Sequence, residues 1–415
     1  MTQAQIGVLW YNRAMEKHEG TGGVLPQEFK GATMDSRKVG PGMLFVAIKG
    51  EHVDGHAFIP QAMAAGAAGV IDGREGLAAA AREYRSRLRA KVVGVTGSAG
   101  KTTVKELVAA FLRAGGHKVH ATSGNFNNDL GLPLTILNCP ADADFLVVEM
   151  GTNHPGEIRY LVDIACPHAG VISSIGTAHI EFFGTQDGIA DEKGELFRSL
   201  PPDGFAVLAR ENARYERLCA MSAAPVVTVS QEDPAAAEFA RAMAVRLPGR
   251  HNVSNAMVAF GCANRFGVPL DACLAALGDF SLPGDRWRVV AHGGVTFISD
   301  CYNANPTSMV AALETFAAVP AAGRRFAVLG DMFELGERSS ELHAMVLERA
   351  LALGFDGVLV TGESFSAAAN GGPAIAFATA ESLKAELAVM LRPGDVVLLK
   401  ASRAMRFETL LPELG

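Results

Sequence analysis

Gly97-Ser98-Ala99-Gly100-Lys101-Thr102-Thr103 is the stretch with the clearest chemistry. It follows the apolar run "KVVGVT" and opens a helical pattern. Glycines let a backbone wrap closely around phosphate oxygens. A helix N-terminus adds free N–H groups and partial positive charge. Lys101 is suited to neutralise β/γ-phosphates, and Thr102 to hold Mg²⁺. The spacing is the shortened G-x-x-G-K-T form, because the full pattern asks for glycine where the chain has Val95. The bland alternative is a glycine-rich turn with a solvated lysine. The strand before and the helix after favour the phosphate reading.

Two polar residues stand at the ends of further strand-like runs, where ligands sit in parallel α/β sheets. Glu149 ends "FLVVEM", the place of an acid near Mg²⁺. His179 follows "VISSIGTAH". Alone, each reads equally well as a capping Glu or a loop His. With a phosphate loop in the same sheet, metal ligation is the better reading. Lys193, in "GIADEKGELFRSL", is odder. On a helix it faces Ile189, Ala190, Leu196 and Phe197, three and four places away, while Asp191, Glu192 and Glu195 point elsewhere. Apolar surroundings push a lysine pKa down, and a neutral amine can add CO₂ to become a carbamate. From the residues alone, a structural lysine with a buried stem is the default.

Strand and helix patterns alternate around these groups. "FLVVEMG" and "AGVISSIG" read as buried strands, and "TTVKELVAAFLRAGG" as a helix stopping at glycines. Alternation predicts a parallel sheet with helices on both faces. A first region, residues 1–90, carries the strand "MLFVAI" after a "GPG" turn and closes with the helical connector "LAAAAREYRSRLRA". A third, 291–415, repeats the α/β pattern through "VTFISD", "RFAVLGD", "GVLVTGE" and "DVVLLKAS". The expected fold class is therefore α/β in three domains. A central P-loop ATPase domain (91–290) lies between a small N-terminal α/β domain and a C-terminal Rossmann-like one.

Composition narrows the class. With 49% hydrophobic and 20% charged residues the chain can build cores, so disorder is not expected. A net charge of -7 without a basic run argues against a broad nucleic-acid footprint. The six scattered cysteines form no C-x-x-C pair, which fits a reducing cytoplasm rather than a disulfide or zinc framework. The first twenty residues lack a signal-peptide core, and no apolar run reaches the ~20 residues of a membrane span.

Taken in order, "TGSAGKTT", "VVEMGTNHPGEI", "GTAHIEFFGT", "DEKGELF" and "GRHNVSNAMVA" resemble the Mur ligase family, ATP-dependent amide-forming enzymes of peptidoglycan precursor synthesis. The resemblance covers nearly the whole chain. Further stretches, "MDSRKVGPGMLFVAIKGEHVDGHAF", "GNFNNDLGLPLTIL", "DCYNANPTSM" and "LGDMFELG", are similar to the family member whose acceptor is D-alanyl-D-alanine. The D-N-P-R signature of the diaminopimelate-adding member is absent. The resemblance implies a monomer that uses ATP and Mg²⁺ to join D-alanyl-D-alanine to UDP-N-acetylmuramoyl-tripeptide through an acyl phosphate. It implies no nucleic acid and no membrane insertion.

It also implies roles. Ser36 and Arg37 would meet the uridine end. Asn125, Asn127 and Asn128 would lie along the sugar-peptide. Asn252 would face adenine, and Arg286 the ATP phosphates. Asp300, Tyr302, Asn303 and Asn305 would form the third domain's mouth, Asp300 on the nucleotide side. Lys193 would be a carbamylated Mg²⁺ ligand beside Thr102, Glu149 and His179. Plain alternatives are a helix cap for Asn252, a surface salt bridge for Arg286 and a bare turn for "YNANPTS". The rival functions are a folylpolyglutamate-type ligase, which "DSRKVGPG" disfavours, and a P-loop regulatory ATPase, which would hydrolyse ATP without an acceptor.

Overall fold

The structure is a computed structural model that describes residues 25–411 except 245, 246, 279, 283 and 285. The expectation about the first twenty residues lies outside the described residues. Among the described residues, three sheets follow one another along the chain.

The first sheet has three parallel strands, β1 (Ala32–Thr33), β2 (Leu44–Ala47) and β3 (Gly69–Asp72), in that order. Every residue of β2 is buried, because helices cover both faces. Phe45 and Ala47 pack with Ala62 of helix Ile59–Ala64. Leu44 and Val46 pack with Leu77 and Ala81 of helix Gly73–Arg87. That second helix is more than the expected connector. Its apolar side belongs to the same core as Leu132 and Leu161 of the next unit. The buried Arg85 guanidinium donates to the carbonyls of Ala165 (2.7 Å), Cys166 (3.2 Å) and Leu88 (3.3 Å). The first and second units are thereby welded along one helix.

The central sheet holds β4 (Lys91–Thr96), β5 (Val119–Ala121), β6 (Phe145–Glu149), β7 (Ala169–Ile172), β8 (Phe205–Ala209) and β9 (Val226–Val229). All pair in parallel, in the order β5-β6-β4-β7-β8-β9. The order reverses at β4, so the loops after β4, β6 and β7 surround a switch-point crevice. Two glycines set the approach of helix Gln186–Arg198, which carries Lys193. Gly94 of β4 and Gly170 of β7 are register partners. A Cβ at either would stand 2.9–3.0 Å from the Leu196 side chain. Without side chains there, the helix settles directly under the strand that feeds the phosphate loop.

The third sheet contains β10 (Arg288–His292), β11 (Val295–Ser299), β12 (Arg325–Gly330), β13 (Gly357–Thr361), β14 (Ile375–Phe377) and β15 (Val396–Lys400). Its order is β10-β11-β15-β12-β13-β14. β10 and β11 form an antiparallel hairpin through Gly293-Gly294, both at positive φ as such a turn requires. The other pairs are parallel. The carboxyl ends of β4, β6 and β7 and those of β11, β15 and β12 open on one cavity of about 1050 Å³.

Candidate active site

The phosphate loop is built by close packing against the strand beside it. Gly97 has φ +149°, and a Cβ there would lie 2.0 Å from Ser173 Oγ. Gly100 has φ +82°, and its Cβ would meet Asn255 Oδ1 at 2.4 Å. Only glycine fits both the angles and the space. The residues after β7 fasten the loop from the side: Ser174 Oγ accepts from Ala99 N (3.1 Å), and Ser98 N donates to the Ser174 carbonyl (2.8 Å). Helix Lys101–Ala114 then begins with its N–H groups facing the cavity. Lys101 Nζ donates to the Gly97 carbonyl at 2.9 Å. Burial lowers its pKa, Glu149 opposes that shift and Arg286 adds to it.

Glu149 ends β6 and is 2% exposed. Its Oε1 accepts from Asn127 Nδ2 at 2.8 Å, while the buried Oε2 has no partner. An unmatched carboxylate oxygen beside a phosphate loop and the Thr102 hydroxyl fits a hard, oxygen-preferring cation such as Mg²⁺. Among the described residues no three His, Cys, Asp or Glu converge on a metal position. A complete ligand shell here therefore needs Thr102, Lys193 or substrate oxygens as well. His179 sits in a left-handed turn (φ +60°), and its Nδ1 lies 2.7 Å from Glu334 Oε2.

Glu334 comes from the third unit and was not anticipated from sequence. It is carried on a turn held from beneath. Asp331 accepts from Ser364 N (3.0 Å) and Phe365 N (2.9 Å), and Met332 N donates to the buried His343 Nε2 (2.9 Å). The His179 imidazole holds the Glu334 carboxyl below its usual range, with Lys101 contributing. Gly336 of the same turn lies against the Glu181 side chain. The spacing of "LGDMFELG" gave no sign that its glutamate would reach another unit.

Lys193 is 1% exposed, and its Nζ has no hydrogen-bond partner. The nearby acids are engaged elsewhere, as helical spacing predicts. Asp191 pairs with Arg217, and Glu195 with Arg198. Glu192 accepts from the N–H groups of Gly156 (2.7 Å) and Ile158 (2.8 Å) at the start of helix Glu157–Ala165. Burial pushes the Lys193 amine well below the ordinary lysine range, and Lys101 pushes it further. Lys193 lies behind the cavity wall rather than among its lining side chains.

Arg286 reaches the phosphate loop, with Nη2 donating to Thr102 Oγ1 at 3.1 Å. Its guanidinium carbon lies 3.4 Å from the centre of the Tyr302 ring. Lys400, at the end of β15 and 2% exposed, donates to Asp300 Oδ2 (2.6 Å) and to the carbonyls of Asp300 (3.3 Å) and Asn303 (3.2 Å). Sequence reading also passed over this lysine. Asn305 caps helix Pro306–Ala317 by accepting from Ser308 N at 2.9 Å. Asn252 is not the cap of helix Arg250–Arg265, a place taken by Gly249, and its Nδ2 donates to the Pro248 carbonyl at 2.9 Å.

One cavity thus gathers Ser98 to Thr103, Asn125, Asn127, Asn128, Glu149, His179, Asn252, Arg286, Asp300, Tyr302, Asn303 and Asn305. Gly97 supports it from behind. Ser36 and Arg37 are not in its lining. They sit in the first unit, where Ser36 Oγ donates to Gln61 Oε1 (3.0 Å) and Arg37 pairs with Asp35 (2.8 Å).

Three family descriptions match successive stretches of this chain. They are "Mur ligase family, catalytic domain" over residues 28–120, "Mur ligase middle domain" over 95–263 and "Mur ligase, glutamate ligase domain" over 285–403. The chain is 34% identical to the UDP-N-acetylmuramoyl-tripeptide–D-alanyl-D-alanine ligase of Escherichia coli, covering 92% of this chain and 93% of that protein. It is 36% identical to the enzyme of the same name from Synechocystis, over 92% and 90%. Among solved structures, MurF from Acinetobacter baumannii superposes with a TM-score of 0.82 at 29% identity, covering 95% and 94%. The Thermotoga maritima MurF complex with ADP gives 0.79 at 30%, covering 92% and 96%. Escherichia coli FolC, at 17% identity and 0.61, shares the fold.

Proposed function

The chain belongs to the Mur ligase family, and from that premise we propose how its cavity works. The protein is an ATP-dependent ligase that joins D-alanyl-D-alanine to UDP-N-acetylmuramoyl-tripeptide for peptidoglycan synthesis. The geometry that best supports this reading is the shared cavity, where a phosphate loop and the strand ends of a second α/β sheet face each other. Residues 1–90 would hold the UDP end through Ser36 and Arg37. Residues 91–290 would hold ATP, and 291–415 would present the dipeptide.

A carboxylate oxygen of the tripeptide attacks the γ-phosphorus of ATP. The bond from that phosphorus to the β,γ-bridging oxygen breaks, leaving ADP and an acyl phosphate. The free amine of D-alanyl-D-alanine then attacks the acyl carbon, the C–O bond to phosphate breaks, and the amine sheds a proton. The first step drives an anion against a polyanion. Lys101 and Arg286 offset that repulsion from fixed positions, with no reorganisation needed at the moment of reaction. Mg²⁺, held by Thr102, Glu149, His179 and Lys193, would supply further charge neutralisation. Lys193 suits that place because burial favours its neutral amine, the form that adds CO₂. The amine nitrogen would bond to the carbon of CO₂ as one C=O π bond opens and a proton leaves, and the carbamate would offer an oxygen ligand. Asn252 would contact adenine, and Asp300 the nucleotide's sugar side. Asn125, Asn127, Asn128, Asn303 and Asn305 would line the path of the two peptides.

Among the described residues no helix is long and apolar enough to cross a membrane. We place the enzyme in the cytoplasm as a monomer, where its product would support cell-wall growth, cell shape and division. Phosphate release tests the reading. It should require UDP-N-acetylmuramoyl-tripeptide and rise further with D-alanyl-D-alanine. Release that ignores both would favour a regulatory ATPase.

A further inference from the structure

Arg286 lies on the segment that joins the central sheet to the third, two residues before β10. The chain is bent sharply there. Gly284 has φ +75°, and Trp287, 7% exposed, has φ +51°. A bulky residue in the left-handed region is rare and persists only when its surroundings enforce it. Arg286 is thus a side chain on the inter-unit link that also touches the phosphate loop, through Thr102 Oγ1 at 3.1 Å.

A residue of the third unit helps to fix its guanidinium. Tyr302 places its ring 3.4 Å from the guanidinium carbon, a face-on stacking distance. The ring is steadied in turn, because Lys400 binds the loop on both sides of it, at Asp300 and at the Asn303 carbonyl. A continuous set of contacts therefore runs from β15, through Lys400 and the 300–303 loop, to Tyr302, Arg286 and Thr102. A stacked guanidinium keeps its N–H donors in one plane, pointing past the ring edge. That is the geometry needed to meet two phosphate oxygens together. One face of the ring is already covered by Arg286, so an acceptor peptide cannot use it.

We propose that Tyr302 is a positioning residue for the first chemical step: it holds Arg286 over the phosphate loop, so that activation of the tripeptide carboxylate depends on a docked third unit. This deepens the ATP-dependent reading above and rests on it.

Positional isotope exchange separates the steps. ATP labelled in the β,γ-bridge is incubated with UDP-N-acetylmuramoyl-tripeptide and no D-alanyl-D-alanine. Exchange then reports acyl-phosphate formation alone. Tyr302→Leu should slow exchange about tenfold to thirtyfold, the loss expected for a desolvated cation–aromatic contact. It should leave the KM for D-alanyl-D-alanine unchanged. Tyr302→Phe keeps the stacking face and should restore exchange. In an Arg286→Lys background, which lacks the planar fork, Tyr302→Leu should add little. Each variant's thermal midpoint is measured alongside, and Tyr302→Met, which also lacks an aromatic face, replaces Tyr302→Leu if the leucine variant does not fold. Normal exchange with a raised dipeptide KM would overturn the proposal in favour of direct acceptor contact. So would equal losses in the Phe and Leu variants, or a full additional loss in the Arg286→Lys background. Absence of exchange in the unaltered enzyme would instead remove the acyl-phosphate reading itself.

Discussion

Lys193→Met should separate stability from chemistry. The lysine amine is 1% exposed and unpartnered, while Ile189, Ala190, Leu196 and Phe197 around its helix are fully buried. A buried donor left without a partner costs about 1–3 kcal/mol. Methionine has a similar length, no donor and a flexible stem that fills irregular apolar space. The fold should therefore gain about that amount. For a unit of 150–250 residues, this corresponds to a rise of about 2–12 °C in melting midpoint. Scanning calorimetry would be run with a chelator in CO₂-depleted buffer, since carbamylation would give the amine new partners. Ligation by the same variant should fall to background. A short-chain carboxylic acid added to Lys193→Ala, where there is room for it, should restore part of the activity. A midpoint several degrees below the unaltered protein would mean that Nζ has a partner in solution, and full ligation by Lys193→Met would take this lysine out of the reaction.

Glu334→Ala removes the half-exposed contact between Glu334 and His179. Exposed contacts of this kind contribute about 0.2–1 kcal/mol, so the balance between separated and docked units should move by up to about fivefold. Small-angle scattering with bound nucleotide reads this as a larger mean radius, and an unchanged radius would count against the clasp. Gly100→Ala forces a side chain into a left-handed backbone and against Asn255. At about 1–2 kcal/mol for the backbone alone, ATP affinity by calorimetry should fall about tenfold or more, while the dipeptide KM stays the same. Asp35 is held at about 2 by its side-chain and backbone hydrogen bonds with Arg37. A carboxyl depressed in the fold stabilises above its unfolded value of about 3.9 and loses that contribution as pH falls toward 2. Carboxyl NMR should place its midpoint near 2; a midpoint near 4 would show the pair to be absent in solution.

The parts of the site that depend on local chain geometry were legible in the sequence. The phosphate loop is one strand, one turn and one helix, so residue order carries it whole. That Lys193 turns toward apolar neighbours was read from helical spacing, and its burial and the partners of Asp191, Glu192 and Glu195 fit that logic. What needed the structure depends on units meeting. Glu334 lies far from His179 in sequence, and only the docking of the third unit brings them to 2.7 Å. Lys400 reads as the polar end of a strand, and nothing in "LLKAS" reveals that it anchors a loop a hundred residues earlier. Gly94 and Gly170 look like breaks in apolar runs until Leu196 is seen to occupy both places. Short strands escaped for a different reason. β5 and β14 have three residues each, and a five-residue run such as β8 cannot be told from a helix segment by periodicity.

The central claim is that ATP cleavage here makes an amide bond between two specific peptides. Mass spectrometry of the sugar-peptide after incubation with ATP and D-alanyl-D-alanine tests it most directly. UDP-N-acetylmuramoyl-tripeptide should gain the mass of one dipeptide less one water, with one ADP formed for each product. ADP accumulating while the sugar-peptide mass stays unchanged would contradict it.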